Sequence, residues 1–232
     1  MGHAPTFVTQ PNNLSVIDGA LATFSANASG IPAPQYQWKR GQQNIAGAIG
    51  STYTIANVRI NDVDEYSVTA TNEFGVSVSD TVTLTVQIPP SFSLEPTDQV
   101  IVSGSSLTLS ANANGLPTPS YQWLLNGSLI SGATASSYRI EASLPINAGL
   151  YQVVASNASG SATSGSSAVT ILEPPVITLS AGSLTLNTGD PLTLSATIAG
   201  SPPFTFQWLK NGSAITGGTA GTLSIESVQP AD

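Results

Sequence analysis

Three tryptophans occur in the 232 residues, at Trp38, Trp123 and Trp208, and successive ones stand 85 residues apart. Equal spacing of the largest apolar side chain means one packing environment built three times, a tandem array of small domains rather than a single core. The phase extends on both sides of the tryptophans. Residues 26–38 lie over residues 111–123 and 196–208 without a gap, sharing a glycine, a proline and the pair Gln-Trp. Prolines recur in the same phase at Pro5, at Pro89 and Pro90, and at Pro174 and Pro175. Proline cannot continue a hydrogen-bonded ladder and stiffens a linker into an extended form, so these are the expected joints. The expected domains are therefore 5–88, 89–173 and 174–232.

Within the first repeat, apolar residues alternate with polar ones at Ala22, Phe24 and Ala26, at Tyr36 and Trp38, at Tyr53 and Ile55, at Tyr66, Val68 and Ala70, and at Val78, Val82, Leu84 and Val86. Period-two alternation is the signature of a strand with one buried face. Turn signals separate the strands at Ser29-Gly30, Arg40-Gly41, Ala46-Gly47, Asn61-Asp62 and Phe74-Gly75. Asn126-Gly127 and Asn211-Gly212 suit the positive-φ positions of a type I′ hairpin turn. With no helical period in sight, each repeat is expected to be an antiparallel β-sandwich of about seven strands.

Two further motifs carry a resemblance. Asp62-Val-Asp-Glu-Tyr66-Ser-Val68 and Asn147-Ala-Gly-Leu-Tyr151-Gln-Val153 are each followed by Ala-x-Asn-x-x-Gly, at residues 70–75 and 155–160. This pattern resembles the I-set immunoglobulin domain, which implies an all-β chain of tandem Greek-key sandwiches. The resemblance implies that the hydroxyls of Tyr66 and Tyr151 bond back to backbone at their corners. It also implies that Trp38, Trp123 and Trp208 pack where the family has a disulfide, at positions occupied here by Ala26, Val68, Ala111, Val153 and Ala196. A bridge would constrain the unfolded chain by roughly 4 kcal/mol on the loop-entropy model; with no cysteine in the chain, burial of alanine and valine against tryptophan must stand in for it. Cysteine-free repeats rich in Ser, Thr, Ala, Gly and Asn resemble bacterial exported arrays. In the third repeat Asp232 takes the place of Asn147, so that repeat is expected to lack its last two strands, to expose one side of Trp208, and either to melt separately or to recruit a strand from a neighbouring molecule.

Composition excludes several functions. Only 8% of residues are charged, and the net charge is −8. Such a chain repels nucleic acid and anionic membrane faces, both of which need Lys or Arg to neutralise phosphate. No stretch is apolar enough for a membrane span, and the first five residues lack the core of a secretion signal, so signal and anchor are expected outside this segment. With one histidine, His3, and no cysteine, serine and cysteine triads and His/Cys metal sites are excluded, and no enzyme activity, metal or cofactor is expected. Asp62, Asp64 and Glu65 offer oxygen donors of the kind calcium favours, but the second repeat replaces them with Asn147, Gly149 and Leu150, which points to a local corner instead.

Tyr36, Tyr121 and Phe206 stand two residues before each tryptophan and share its inward face. That leaves Phe7, Phe74 and Phe92 as candidate sugar-stacking aromatics, and Leu124 and Leu209 as a weak contact patch. Sequons at Asn13, Asn27, Asn126, Asn157 and Asn211 matter only in a glycosylating host. The expected function is a non-enzymatic spacer, adhesion or protein-interaction segment of a longer exported or surface protein. Its rod would be of order 100 Å, built from strands of roughly ten residues. Its expected partners are a protein or a cell-surface glycan. The alternatives are an accessory carbohydrate-binding module of a polymer-degrading enzyme and an intracellular structural array.

The alignment also predicts that Ala111→Cys with Val153→Cys forms the missing bridge, with Cα atoms inside the roughly 4.4–6.8 Å that a disulfide needs. Thiol titration of the purified double variant should find both cysteines oxidised, with a raised melting temperature. Free thiols after oxidation would set the alignment aside.

Overall fold

A computed structural model describes residues 1–180 and 182–230, whose regular elements are strands apart from two 3-10 turns at Ile60–Asp62 and Pro145–Asn147. These residues form two compact units. One comprises residues 1–96, 110–137 and 152–165; the other comprises 97–109, 138–151 and the residues from 166 onward.

In the first unit the principal sheet of repeat one sets Val82–Leu94, Asp64–Asn72, Gln35–Arg40 and Gln43–Asn44 side by side. Ala22–Ser25 pairs with Thr52–Ile55, and His3–Thr9 with Asn27–Ile31. The alternating residues of these strands meet in one core. Phe24 stacks on Tyr66 at 4.7 Å and lies 5.9 Å from Trp38. Each such ring pair adds about 0.5–1.5 kcal/mol beyond simple burial. Trp38 is fully buried and its indole N–H donates to the Gly50 carbonyl at 3.0 Å, so the one polar atom it takes inside is satisfied. Ala26 and Val68 are buried in the same cluster.

Three details differ from the sequence expectation. Val78 does not share the buried face of Val82, Leu84 and Val86 but ends the separate strand Gly75–Val78, exposed. Pairing is not wholly antiparallel: Leu14–Ile17 runs parallel to Val82–Leu94, with Leu14 beside Leu84 and Ile17 beside Gln87. Ser29-Gly30 is not a turn but lies inside the strand Asn27–Ile31, and Gly30 has a different reason for being glycine, given below.

The corner of repeat one is closed by two bonds. The Tyr66 hydroxyl donates to the Asp62 carbonyl at 2.8 Å, and the Asp62 carboxylate accepts the Arg59 N–H at 2.8 Å. Farther along the strand, Ser79 Oγ accepts the Val68 N–H at 3.0 Å and donates to the Asp80 carbonyl, satisfying an amide where neighbouring strand pairing lapses. Ser164 repeats the arrangement for Val153. Trp123 and Val153 are fully buried and Ala111 nearly so. The Trp123 indole N–H donates to the Ala135 carbonyl at 2.9 Å.

In the second unit Gln99–Val102 runs parallel to Ser167–Leu172, and Gly149–Tyr151 pairs antiparallel with Ser167–Val169. Tyr151 is fully buried beside Tyr138, and its hydroxyl donates to the Asn147 carbonyl at 2.8 Å. Leu192–Ala199 is flanked by Val176–Leu179 and Thr222–Ile225. Here Trp208 and Ala196 are both only half-buried, short of the packing carried over from the family and in keeping with the open side expected of Trp208. In repeat one Trp38 lies opposite Val68 on the strand Asp64–Asn72, and the described residues of repeat three contain no counterpart of that strand. Asp232, where the sequence places the third corner, lies outside the described residues.

Burial pushes the hydroxyls of Tyr66 and Tyr151 up to about 12, from the usual value near 10. The folded state thus holds these protons more tightly than the unfolded state, and that contribution to stability is complete below about pH 10 and lost as pH rises through 12. Denaturant midpoints should therefore hold to about pH 10 and fall above it. Tyr66→Phe with Tyr151→Phe should cost about 1 kcal/mol per site at neutral pH and flatten that alkaline fall.

Candidate functional site at the joint between repeats

The strand Val82–Leu94 belongs to two repeats. Its first half lies against Leu14–Ile17; past the prolines, Ser91, Phe92 and Leu94 pair with Asn114, Ala113 and Asn112. The register shifts between Ile88 and Ser91, where Pro89 and Pro90 bring no N–H to the ladder. Pro90 is buried. The Asn157 side-chain amide donates to the Ile88 carbonyl at 2.8 Å and to the Pro117 carbonyl at 2.7 Å, while its oxygen accepts the Ser159 N–H at 2.9 Å. One carboxamide therefore ties the incoming strand to the loop it passes. Gly115 makes room for this: a Cβ there would stand 3.0 Å from Asn157 Nδ2 and 3.3 Å from the Ile88 carbonyl oxygen.

Repeat one carries the same clamp at its own entry. Asn72 Nδ2 donates to the carbonyls of His3 and Pro32, both at 2.9 Å, and its oxygen accepts the Phe74 N–H. Gly30 sits under it, where a Cβ would lie 3.1 Å from Asn72 Nδ2 and 3.4 Å from Pro5 Cα. At the entry to repeat three, Ser201 takes over. Its N–H donates to the Glu173 carbonyl at 2.9 Å, and its hydroxyl accepts the Glu173 N–H at 2.8 Å. Gly200, at φ +126°, would put a Cβ 2.7 Å from the Pro174 carbonyl oxygen. Beside the first of these inter-repeat joints lies an apolar groove of about 400 Å³ lined by Ile60, Val63, Val86, Leu116 and Pro117 among others.

Two of the carboxylates considered for calcium, Asp62 and Asp64, serve the corner instead. Arg40 Nε bonds Asp64 at 3.0 Å, its guanidinium lies 3.8 Å from Asp62, and it also donates to the Asn61 carbonyl. The Glu65 N–H and then Arg40 hold the Asp64 carboxyl below its usual range. Among the described residues no three metal-ligating side chains cluster.

Tyr36 and Tyr121 turn inward, their hydroxyls accepting the N–H groups of Ala28 and Ala113 at 2.8 Å. Of the candidate stacking aromatics, Phe7 and Phe92 are half-buried and only Phe74 is exposed. Leu124 is half-buried opposite Leu129, whereas Leu209 is exposed. Among the sequons, Asn157 is the clamp itself and Asn13 accepts the Thr83 N–H. Asn126 and Asn211 occupy positive-φ turn positions.

The immunoglobulin I-set pattern matches residues 5–86, and a second immunoglobulin domain pattern matches 89–157 and 174–232. The chain belongs to the immunoglobulin domain family. These immunoglobulin repeats are 32% identical to Hemicentin-1 of Homo sapiens over 90% of the chain and 4% of that protein. They are 33% identical to Endoglucanase C of Cellulomonas fimi over 74% of the chain and 16% of that protein. The chain thus spans a small part of these curated relatives. A three-immunoglobulin-domain structure of titin superposes with a TM-score of 0.80 at 20% identity, covering 99% of this chain and 90% of titin's fragment, and shares the fold. The expected likeness to bacterial arrays is not supported as a statement of source, since Hemicentin-1, an animal protein, matches over more of the chain than Endoglucanase C does. Among the described residues no helix is long and apolar enough to cross a membrane.

Asn157→Ala should cost about 1–3 kcal/mol, the range for a partly buried polar pair left unsatisfied. Asn157→Asp should be worse, because a carboxylate has no N–H to give two carbonyls. Hydrogen exchange should quicken in residues 86–92 of both variants while the Trp38 core stays protected. Equal behaviour of Asn157→Asp and wild type would remove the clamp from consideration.

Proposed function

We propose that this chain is a non-enzymatic spacer and adhesion segment of a longer exported or cell-surface protein, built of immunoglobulin domains at 5–88, 89–173 and 174–232. The clamp made by Asn157 carries the reading. A joint in which one strand serves two repeats, with its carbonyl held by a side chain of the second, transmits force along the chain; a catalytic or loop-borne binding site has no use for it. Strand direction supports the same reading. Leu14–Ile17 lies parallel to Val82–Leu94, and Gln99–Val102 parallel to Ser167–Leu172. Pulling the ends of either repeat apart loads those ladders in shear, so their bonds resist together rather than opening one by one.

A second reading rests on the likeness to Endoglucanase C: the segment is an accessory module of a polysaccharide-degrading enzyme. Phe74 is the exposed aromatic available to it.

Single-molecule stretching tests the first reading. Repeats one and two should each break in one step, releasing at most about 300 Å of contour for 85 residues. Smooth extension without force peaks would defeat the load-bearing proposal. Sedimentation with insoluble cellulose tests the second, which requires retention that Phe74→Ala abolishes.

A further inference from the structure

Repeat three is open on the side where repeats one and two are closed by a strand. Leu192, Leu194, Trp208, Lys210, Leu223 and Ile225 line a groove of about 510 Å³ there. Leu192, Leu194 and Ala196 are half-buried, whereas their equivalents Ala22, Phe24 and Ala26 in repeat one, and Leu107, Leu109 and Ala111 in repeat two, are buried. Among the described residues Leu209–Lys210 pairs only with Ser213–Ala214. The Trp208 N–H donates to the Gly218 carbonyl, and the Trp208 carbonyl accepts the Ile215 N–H. Alternation along a strand therefore turns the backbone groups of Gln207 and Leu209 the other way, toward the open side. A row of backbone donors and acceptors beside an apolar floor is a template for one more strand.

The complete repeats show what fits such a groove. In repeat one Asp64–Asn72 lies antiparallel to Gln35–Arg40, with Tyr66 opposite Arg40, Val68 opposite Trp38 and Ala70 opposite Tyr36. Those three side chains are buried, as are Tyr151, Val153 and Ala155 in repeat two. Charge adds a fourth position. Asp64, two residues before Tyr66, bonds Arg40 at 3.0 Å. Repeat two replaces this acid and base together, by Gly149 and Leu125, but repeat three keeps a base, Lys210, in the place of Arg40. Lys210 is in no ion pair among the described residues.

We infer that this groove is a strand-binding site, and that its occupant is an extended segment of a partner polypeptide reading acidic-x-aromatic-x-aliphatic-x-small. The register of repeat one sets the aliphatic residue against Trp208, the small one against Phe206, and the acid within reach of Lys210. This chain has two segments with the aromatic-x-aliphatic-x-small spacing, Asp64–Asn72 and Gly149–Asn157, and both are built into their own repeats. A second copy could donate either only by opening a finished repeat, and two chains of net charge −8 repel one another. The inference stands whether the segment is a spacer or an enzyme's accessory module.

Fluorescence anisotropy of a labelled synthetic peptide with the sequence of residues 62–72, titrated with the whole chain, tests it. Saturable binding with a Kd between about 1 and 100 μM is expected, together with slowed hydrogen exchange in residues 205–210. The same peptide carrying Val68→Asp sets a carboxylate against Trp208 and should bind at least about tenfold more weakly. Lys210→Glu in the chain should weaken the parent peptide about threefold and prefer the peptide carrying Asp64→Lys, a reciprocal exchange that non-specific apolar adhesion does not produce. Absence of binding, equal binding of the Val68→Asp peptide, no reversal of preference in Lys210→Glu, or protection appearing in residues 35–40 instead of 205–210 would each overturn the assignment. So would residues 205–210 already protected in the chain without peptide.

Discussion

Everything in these repeats is arranged around an indole that has nowhere polar to go except one carbonyl. Trp38 is buried on all sides, and its N–H reaches Gly50 twelve residues on; Trp123 does the same to Ala135. That bond fixes the ring edge. The ring faces then dictate what packs on them: small residues on one strand, aromatic ones on the next, and in repeat one a run of rings from Trp38, tilted against Phe24, to Tyr66, stacked on it. A disulfide would hold two strands by covalent means. Here the same distance is spanned by alanine, valine and a close-packed ring, so cohesion depends on having every flanking strand in place. Trp208 shows the dependence directly. Its N–H still finds a carbonyl, that of Ala220 at 2.8 Å, yet the ring is half-open because the described residues offer no strand on that side.

What could be read from the sequence was what is local or periodic. The 85-residue phase, the alternating strands and the corner tyrosines all rest on short spacings, and Tyr66 finds its acceptor four residues away. The clamp was not legible because its partners are distant and chemically anonymous. Asn72 bonds carbonyls 69 and 40 residues away, and a backbone oxygen has no letter in the sequence. The signal that existed was recurrence: Asn72 and Asn157 share the phase, as do Gly30, Gly115 and Gly200. Gly30 was misleading by itself. Glycine next to serine reads as a turn, but the requirement there is close approach of another strand.

The exposed side of Gln99–Val102 was hidden for the opposite reason. Alternation separates inside from outside only while the outside stays polar, and Val100-Ile101-Val102 has no contrast to read. Pairing partners resolved it, because Val100 and Val102 follow the outward residues of Ser167–Leu172. Internal comparison of repeats is informative here in a way a single domain is not. Where repeats share a register, the strand that covers Trp38 in one shows what the open side of Trp208 lacks in another.

The strand Val82–Leu94 has one more consequence. Because it closes the sheet of repeat one and opens repeat two, neither repeat owns it. Peeling it away from one removes a boundary element of the other, so the free energies of neighbouring repeats contain a shared term and do not simply add. The array behaves as a one-dimensional lattice with coupling between adjacent sites. An interior repeat is steadied from two directions and an end repeat from one, which makes position in the array a determinant of stability alongside composition.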